Sequence, residues 1–181
     1  MYGLINIAIR DLVKSKFGEQ QWRQILDQSG ASEADFVRMR SGDDSATYAL
    51  VGAASEVLGM PAPEVLQAFG EYWTQFTAQE GYGPLMDAAG STLPEFLENL
   101  DQLHTRVGMM YPDLKPPSFT CSEIKDNSLM LHYKSGRDGL DDLVIGLLRG
   151  LGTRFQVEVN VQQVSSKSDT GDASVFYVTW S

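Results

Sequence analysis

The sequence is poor in cysteine, histidine and basic residues. With a single cysteine, Cys121, the chain of 181 residues can form no intrachain disulfide and no zinc site built on several thiolates. Its 14 lysines and arginines are outnumbered by 24 acidic residues, which gives a formal net charge of −10. This charge argues against nucleic-acid phosphates or anionic lipid as the principal partner. We therefore expect neither a nucleic-acid nor a membrane partner.

Long apolar runs are also absent. The longest is far shorter than the roughly 18 residues expected of a membrane span. Charged residues, among them Arg10 and Asp11, interrupt the N-terminal apolar segment, so we expect no signal peptide there. We expect a cytoplasmic protein. A length of 181 residues with 43% hydrophobic residues is most simply one domain with a sizeable core.

Helical spacing of apolar residues dominates the first part of the chain. It predicts an amphipathic helix over 3–16 and a shorter one over 20–28. The segment 43–45 (Asp-Asp-Ser) provides an N-cap for a third helix, and Pro61 and Pro63 begin a fourth. The N-terminal part is therefore predicted to be helical.

One further helix carries a histidine on its apolar face. Thr92 and Glu95 have the spacing of a capping box, which predicts a helix over 93–107. His104 lies one turn beyond Leu100 and points with the apolar residues. Taken alone, such a histidine is more often a satisfied core residue than a ligand.

The chain changes character after Pro112. Pro116 and Pro117 exclude a continuous helix there. Beyond them the sequence predicts strands over 118–124, 128–133, 155–164 and 174–180, a helix over 140–151 and a polar loop over 165–172. The expected fold class is α+β, with a helical N-terminal half packed on a C-terminal half that contains an antiparallel sheet, and a pocket between them. We expect a single domain, 1–181. Within it, 1–60 forms a mainly helical part, distal to the helix that carries the histidine described above, and 61–181 contains that helix and the α+β part.

Tyr133, Ser135 and Arg137 project from one face if the strand continues through them. A guanidinium beside two hydroxyls suits a pair of carboxylates, because its planar fork binds them bidentately. A histidine on an apolar helix face together with such a carboxylate clamp is the arrangement that a haem requires. Each of these signals is weak without the other.

Several motifs together resemble one family. They are the opening 1–6, the helix with His104, Tyr111-Pro112 followed by 117–119, the Tyr-x-Ser-x-Arg ending at Arg137, and 144–148. In this order they resemble the haem–nitric oxide/oxygen binding (H-NOX) domains, which include the haem domain of soluble guanylate cyclase. The likeness covers essentially the whole chain. Within the family, the chain is similar to the stand-alone bacterial type.

The resemblance implies a role for each of these residues. His104 would be the axial ligand of a five-coordinate ferrous haem, and Tyr133, Ser135 and Arg137 would hold the haem propionates. Pro117 resembles the proline that presses on the haem in the family. Since the sequence has no Cys-x-x-Cys-His, the cofactor would be haem b, bound non-covalently.

The same resemblance bears on the gas ligand. Oxygen-binding relatives place a hydrogen-bond donating tyrosine where this chain has Leu143, so nitric oxide and carbon monoxide are the expected ligands. Trp73 stands where oxygen binders have a polar residue, and its indole N–H is the one donor that opposes this expectation. Ile5, Ile9 and Leu100 are expected among the apolar haem-binding residues.

The expected function is gas sensing without catalysis. Nitric oxide would weaken the bond from iron to His104, and the signal would pass to a separate effector protein, a histidine kinase or a cyclic-di-GMP enzyme in similar bacterial proteins. One alternative is an oxygen sensor or carrier that uses Trp73. Another is an α+β interaction module without haem. A haem peroxidase is disfavoured, because His132 faces the other side of its strand and no distal acid–base group is in place.

Overall fold

Four helices form the N-terminal part of the computed structural model, which describes residues 1–38 and 40–181. A 3-10 turn, Glu33–Phe36, lies between the second and third helices. The helix bounds agree with the predictions to within one or two residues. They are α1 (Gly3–Phe17), α2 (Glu19–Ser29), α3 (Asp44–Leu58) and α4 (Ala62–Thr77).

The two ends of α3 show how local sequence determines its length. The side chain of Asp43 accepts a hydrogen bond from Ser45 N at 2.8 Å, which confirms the predicted N-cap. Gly59 ends the helix in the left-handed region at φ 63°, where a residue with a Cβ would be strained. Because Asp43 alone caps the helix, the carboxylate of Asp44 is available for other partners.

The end of α4 changes its winding. A π turn, Ala78–Tyr82, follows the helix and contains Gly81 at φ 97°. A short helix, α5 (Gly83–Asp87), comes next. π turns are rare and often occur at functional sites. Here the turn packs Tyr82 against the helical core.

The helix predicted over 93–107 is two helices, so the single helix was wrong. They are α6 (Leu93–Glu98) and α7 (Leu100–Gly108), joined at Asn99. The side-chain amide of Asn99 donates to Ala89 O at 2.9 Å and to Glu95 O at 3.0 Å. A short amide that bonds to nearby backbone carbonyls competes with the regular helix, which explains the break.

The predicted capping box at Thr92 was also wrong. Glu95 accepts hydrogen bonds from Ser91 N at 2.8 Å and Ser91 Oγ at 2.9 Å, whereas the side chain of Thr92 caps nothing. The hydrogen bonds from Ser91 hold the pKa of Glu95 below its ordinary value. The hydrogen bonds of Glu95 thus reach Ser91, one position before the threonine that the pattern indicated.

The C-terminal part contains an antiparallel sheet, which confirms the α+β class. Its strand order is β1-β2-β4-β3. A long helix connects β2 to β3 and a short one connects β3 to β4. The bounds are β1 (Ser118–Lys125), β2 (Ser128–Lys134), α8 (Asp141–Phe155), β3 (Val159–Ser165), α9 (Lys167–Thr170) and β4 (Ser174–Trp180).

Two predictions in this part were wrong in detail. The strand expected from residue 155 begins only at Val159, because α8 continues through Phe155 and ends at Gln156 with φ 58°. The ring of Phe155 packs against Phe96 with centroids 5.6 Å apart, so its apolar character serves helix packing. The polar loop predicted over 165–172 contains the short helix α9.

Two apolar cores meet where α4 crosses α8. The first joins α1–α4 and also takes in Tyr111 and Leu140. The second joins α6, the sheet and α8. At the crossing, a Cβ on Gly146 would lie 2.1 Å from Gln67 O, and a Cβ on Gly70 would lie 2.4 Å from Leu143 O. Only glycine allows the two backbones to approach this closely.

Among the described residues, no helix combines the length and the apolar character needed to cross a bilayer.

Candidate functional site

A cavity of about 340 Å³ lies where the two cores meet. Its walls come from α1, α4, α7, α8 and the start of the sheet, and most of the residues that line it are apolar. A volume in this range with a few polar groups is typical of small-molecule and cofactor sites. Nine of the ten residues predicted to form a site line it: Ile5, Trp73, Leu100, His104, Pro117, Tyr133, Ser135, Arg137 and Leu143.

His104 lies on the apolar face of α7 and lines the cavity. Its Nδ1 atom is buried without a well-formed hydrogen bond, and its Nε2 atom has no hydrogen-bond partner among residues 1–38 and 40–181. Burial lowers the pKa of His104, although the Asp101 carboxylate and the backbone of Pro117 oppose the shift. The imidazole is therefore neutral at pH 7 and has a free lone pair to offer a ligand.

Asp101 ties the helix of His104 to the sheet. Its Oδ2 accepts a hydrogen bond from Ser118 Oγ at 2.7 Å and its Oδ1 accepts one from Phe119 N at 2.8 Å. The ring of Phe119 lies against His104, with centroids 6.0 Å apart, and against Tyr133 at 5.3 Å. Since Pro117 directly precedes Ser118, this link connects the positions of His104 and Pro117.

The Tyr-x-Ser-x-Arg motif does not form the regular ladder that alternation predicts. Tyr133 is buried in β2, but the strand ends at Lys134, so Ser135 and Arg137 follow it in a loop. Within the loop, Ser135 Oγ accepts a hydrogen bond from Arg137 N at 3.1 Å. All three residues nevertheless line the same cavity.

Arg137 is held by groups that the sequence did not identify. Its Nε donates to Asp44 Oδ2 at 2.6 Å, its Nη2 to Asp44 Oδ1 at 3.3 Å, and its Nη1 to Lys115 O at 2.9 Å. The N-terminal ammonium of Met1 also pairs with Asp44. Burial alone would raise the pKa of Asp44, but the guanidinium and the ammonium together hold it below its ordinary value.

Trp73 places an indole N–H in the apolar part of the cavity, beside residues that donate no hydrogen bond. Leu143 of α8 and Ile5 of α1 line it with hydrocarbon. Trp73 of α4 stacks against Phe76, with centroids 5.9 Å apart. In the described part of the chain, its indole N–H donates no hydrogen bond.

Comparisons with known proteins agree on one family. A family model described as haem–NO-binding matches residues 2–163. The chain belongs to the haem–NO-binding family. It is 32% identical to soluble guanylate cyclase gcy-31 of Caenorhabditis elegans over 170 residues, which are 93% of this chain and 24% of the relative. It is 33% identical to gcy-35 of the same organism over 181 residues, which are 97% of this chain and 26% of the relative. The chain thus spans about a quarter of the guanylate cyclases it matches.

Solved H-NOX structures have the same fold. An H-NOX protein from S. oneidensis in the Fe(II)NO ligation state superposes with a TM-score of 0.89 at 21% identity, covering 100% of this chain and 99% of that one. An Fe(II) unliganded H-NOX protein from K. algicida gives a TM-score of 0.85 at 25% identity, covering 100% and 97%. The haem–NO-binding family is a family of haem-based gas sensors.

The residues at the cavity fit the cofactor of this family. A haem needs a neutral nitrogen ligand, apolar walls and cations or donors for two carboxylates. His104 offers a nitrogen that no protein group satisfies, and Arg137, Tyr133 and Ser135 line the same cavity. A buried imidazole nitrogen without a well-formed hydrogen bond is otherwise unfavourable. The donor set therefore suits haem.

Ile9 is the one residue predicted for the site that does not line the cavity. It is one turn beyond Ile5 on α1 but is buried at 4% exposure in the helical core. Helical spacing gives Ile5 and Ile9 the same face. The cavity ends before Ile9, and this depends on neighbouring helices rather than on the spacing.

His132 lies outside the cavity lining, as expected, and Cys121 lies outside it too. His132 Nε2 is 2.8 Å from Ser122 Oγ, on the side of the sheet away from the core. Cys121 is half-buried against the second core. Burial, with a smaller contribution from Glu98, raises the pKa of its thiol to about 11, so the thiol is protonated and inert at neutral pH.

Three tyrosines of the site were not found from the sequence. The hydroxyls of Tyr82 and Tyr111 are hydrogen-bonded to each other, and the ring of Tyr2 packs edge-on against Tyr111 at 4.8 Å. All three line the cavity. Burial and the bond to Tyr111 raise the pKa of Tyr82. Tyr2 and Tyr111 belong to motifs that the family resemblance used, but no spacing rule links these three positions.

Proposed function

We propose that this domain binds haem b non-covalently, with His104 as its axial ligand, and that it senses nitric oxide. The observation that carries the proposal is the state of His104. It is a neutral imidazole whose buried Nδ1 makes no well-formed hydrogen bond in the described part of the chain, on the wall of an apolar cavity. The same cavity has Arg137 at its edge, where the carboxylates of a haem could bind.

The other residues have separate tasks. Arg137, Tyr133 and Ser135 would bind the two propionates, through one charged donor and two hydroxyls. Pro117 lines the cavity next to the Asp101 link, so it would press on the ring from a fixed position. Leu100 would provide part of the apolar wall.

The gas selectivity follows from the side chains near the apolar wall. A ferrous haem held by His104 would supply an iron that binds nitric oxide or carbon monoxide, and nitric oxide would weaken the bond between iron and His104. Oxygen binding needs a hydrogen-bond donor near the bound gas. Leu143 and Ile5 donate nothing, which favours nitric oxide and carbon monoxide over oxygen.

Signalling would use the contact between α7 and the sheet. Asp101 couples α7 to β1, and Arg137 couples the loop after β2 to α3 through Asp44. A change in the position of His104 would therefore act on both parts of the molecule. For a switch, a partner must bind one arrangement more tightly than the other. We propose a separate effector protein, either a histidine kinase or a cyclic-di-GMP enzyme. The domain itself is a sensor and not a catalyst.

The first experiment is an absorption spectrum of the purified ferrous protein, in air and then with nitric oxide. We expect an unchanged five-coordinate haem in air and a new nitrosyl band with the gas. A colourless protein from haem-replete cells would overturn the haem assignment and leave an interaction module.

Two histidine variants make the experiment specific. His104→Gly should lose the haem, and added imidazole should restore it by filling the space of the side chain. His132→Gly changes the only other histidine, which lies outside the cavity lining, and should keep the wild-type spectrum. Equal loss of haem in both variants would contradict the role of His104.

An oxygen sensor or carrier is the second candidate. The observation in its favour is the indole N–H of Trp73, which lines the cavity and has no partner among the described residues. A stable oxy spectrum in air that disappears in Trp73→Phe would establish it. Absence of an oxy band in the wild-type protein would exclude it.

The effector is tested with the two classes of partner. Purified protein, with and without nitric oxide, is added to the cognate histidine kinase and to the cognate cyclic-di-GMP enzyme. We expect nitric oxide to change the activity of one of them through this domain, and His104→Gly to abolish the effect. No response of either enzyme would remove the signalling part of the proposal.

A further inference from the structure

Lys115 lies beside Arg137 at the edge of the cavity. Its carbonyl oxygen accepts the hydrogen bond from Arg137 Nη1 at 2.9 Å, and the residue both lines the cavity and is exposed to solvent. Its backbone is restricted by the following Pro116 and Pro117. The start of its side chain is therefore fixed next to the guanidinium, while its flexible stem can reach across the cavity edge.

The ammonium of Lys115 has no acidic partner in the described part of the chain. The lysines 14, 134 and 167 each form an ion pair, and Lys115 forms none. Asp113, two residues earlier, also lines the cavity but lies beyond ion-pair distance. Lys115 is thus an unpaired cation at the edge of a largely apolar cavity.

Without Lys115, the charges present at this edge balance one another. Arg137 and the N-terminal ammonium are positive, and Asp44 and Asp113 are negative. Two carboxylates placed there would leave an excess of two negative charges. Arg137 cannot compensate them fully, because its Nε and Nη2 are already bound to Asp44.

We infer that Lys115 is a second cationic binding residue for the carboxylates of the cofactor. The inference rests on the proposed function and deepens it, since it assigns a carboxylate partner outside the Tyr-x-Ser-x-Arg motif. The ammonium reaches a carboxylate from the side of the Pro116–Pro117 segment, while Tyr133, Ser135 and Arg137 bind from the side of the loop after β2.

The test compares rates of haem loss from the holoprotein to excess apomyoglobin. Lys115→Met removes the charge and keeps an unbranched, flexible side chain of nearly the same length. In roughly 0.01 M salt, where charges act over about 30 Å, we expect it to lose haem about three times faster than wild type. In about 1 M salt, where the screening length is about 3 Å, the difference should vanish.

Two further variants control for other effects. Lys115→Arg keeps the charge and should retain haem like the wild type. Lys125→Met removes an exposed lysine at the far end of β1, outside the cavity lining, and should also behave like the wild type. Protein loaded with the dimethyl ester of haem, which has no carboxylate, should lose it equally fast with and without Lys115.

Three outcomes would overturn the inference. Equal haem loss by Lys115→Met and wild type at low salt would show that the ammonium contributes nothing. Faster loss by Lys115→Met at both salt concentrations, or with the dimethyl ester as well, would show a structural defect rather than a charge contact. If the wild-type protein contains no haem at all, the proposed function fails together with the inference.

Discussion

Arg137 and Asp44 are 93 positions apart in the chain, and their side chains meet with 2.6 Å between Nε and Oδ2. The pair joins the loop after β2 to the start of α3, so it connects the sheet part with the helical part. Met1 adds its ammonium to the same carboxylate. Arg137, which would bind a propionate, therefore also links the two parts of the fold.

Asp44→Asn should weaken the fold in a pH-dependent way. The pKa of Asp44 is lower in the folded protein than its ordinary value of 3.8, so the stabilisation is fully present above that value and is lost as the pH falls. Discounted for partial exposure of both partners, the pair contributes about 1 kcal/mol. Urea unfolding should show this deficit at pH 7 and a smaller one near pH 3.

Asp126→Asn is the matched control for this prediction. Asp126 is exposed in the turn between β1 and β2 and makes no side-chain hydrogen bond among the described residues. Its substitution should leave the free energy of unfolding unchanged at both pH values. A deficit of Asp44→Asn that stays the same at both pH values would contradict the ion-pair account.

The sequence predicted more of the fold than of the site. Helical and alternating periodicities depend on near neighbours, and they placed α1–α4 and three of the four strands well. The face of α7 that carries His104 was predictable for the same reason. The Asp44–Arg137 pair was not, because Asp44 stands in an N-cap cluster and nothing in its local sequence shows that only Asp43 performs the capping.

The errors have a common physical origin. Asn99 breaks a helix, and α8 continues beyond its predicted end, because hydrogen bonds and packing from other segments decide between locally similar options. Ile9 is absent from the cavity lining for a similar reason. Periodicity assigns a face, and the neighbouring helices determine how much of that face borders the cavity.

Asp101→Asn should loosen the link between α7 and β1. The carboxylate accepts two hydrogen bonds, from Ser118 Oγ and Phe119 N, and an amide can accept only one of them well. We expect a loss of about 1–2 kcal/mol in the free energy of unfolding. Resonance Raman of the holoprotein should also show a changed stretching frequency for the bond between iron and His104.

Gln102→Ala is the control on the neighbouring residue. Gln102 is exposed on α7 and its side chain makes no hydrogen bond in the described part of the chain. Both the unfolding free energy and the stretching frequency should stay at wild-type values. If Asp101→Asn also leaves the frequency unchanged, the link does not position His104.

Gly146→Ala should destabilise the crossing of α4 and α8. The added Cβ would lie 2.1 Å from Gln67 O, and that atom belongs to backbone that cannot move without displacing α4. Overpacking of this kind costs about 1–3 kcal/mol or more. Thermal unfolding should show a clear drop in the midpoint temperature.

Gly52→Ala is the matched control, because the same substitution should raise the stability there instead of lowering it. Gly52 lies on the exposed side of α3, with nothing within 4 Å of an added Cβ. Alanine there should stabilise the helix by about 1 kcal/mol, because glycine is the poorer helix former. A gain in stability from Gly146→Ala would mean that the two helices are not in close backbone contact.

Leu143→Tyr should allow the site to bind oxygen. Leu143 lines the cavity from α8 and donates no hydrogen bond, whereas a tyrosine hydroxyl there could donate to bound oxygen. If the proposed haem site is correct, the variant should show an oxy spectrum in air that the wild type lacks. Leu143→Phe adds the ring without the hydroxyl, so it separates the hydrogen bond from the added bulk and should show no oxy band. An oxy complex in the phenylalanine variant would instead attribute selectivity to cavity shape, and its absence in both would leave Leu143 without a role in selecting the gas.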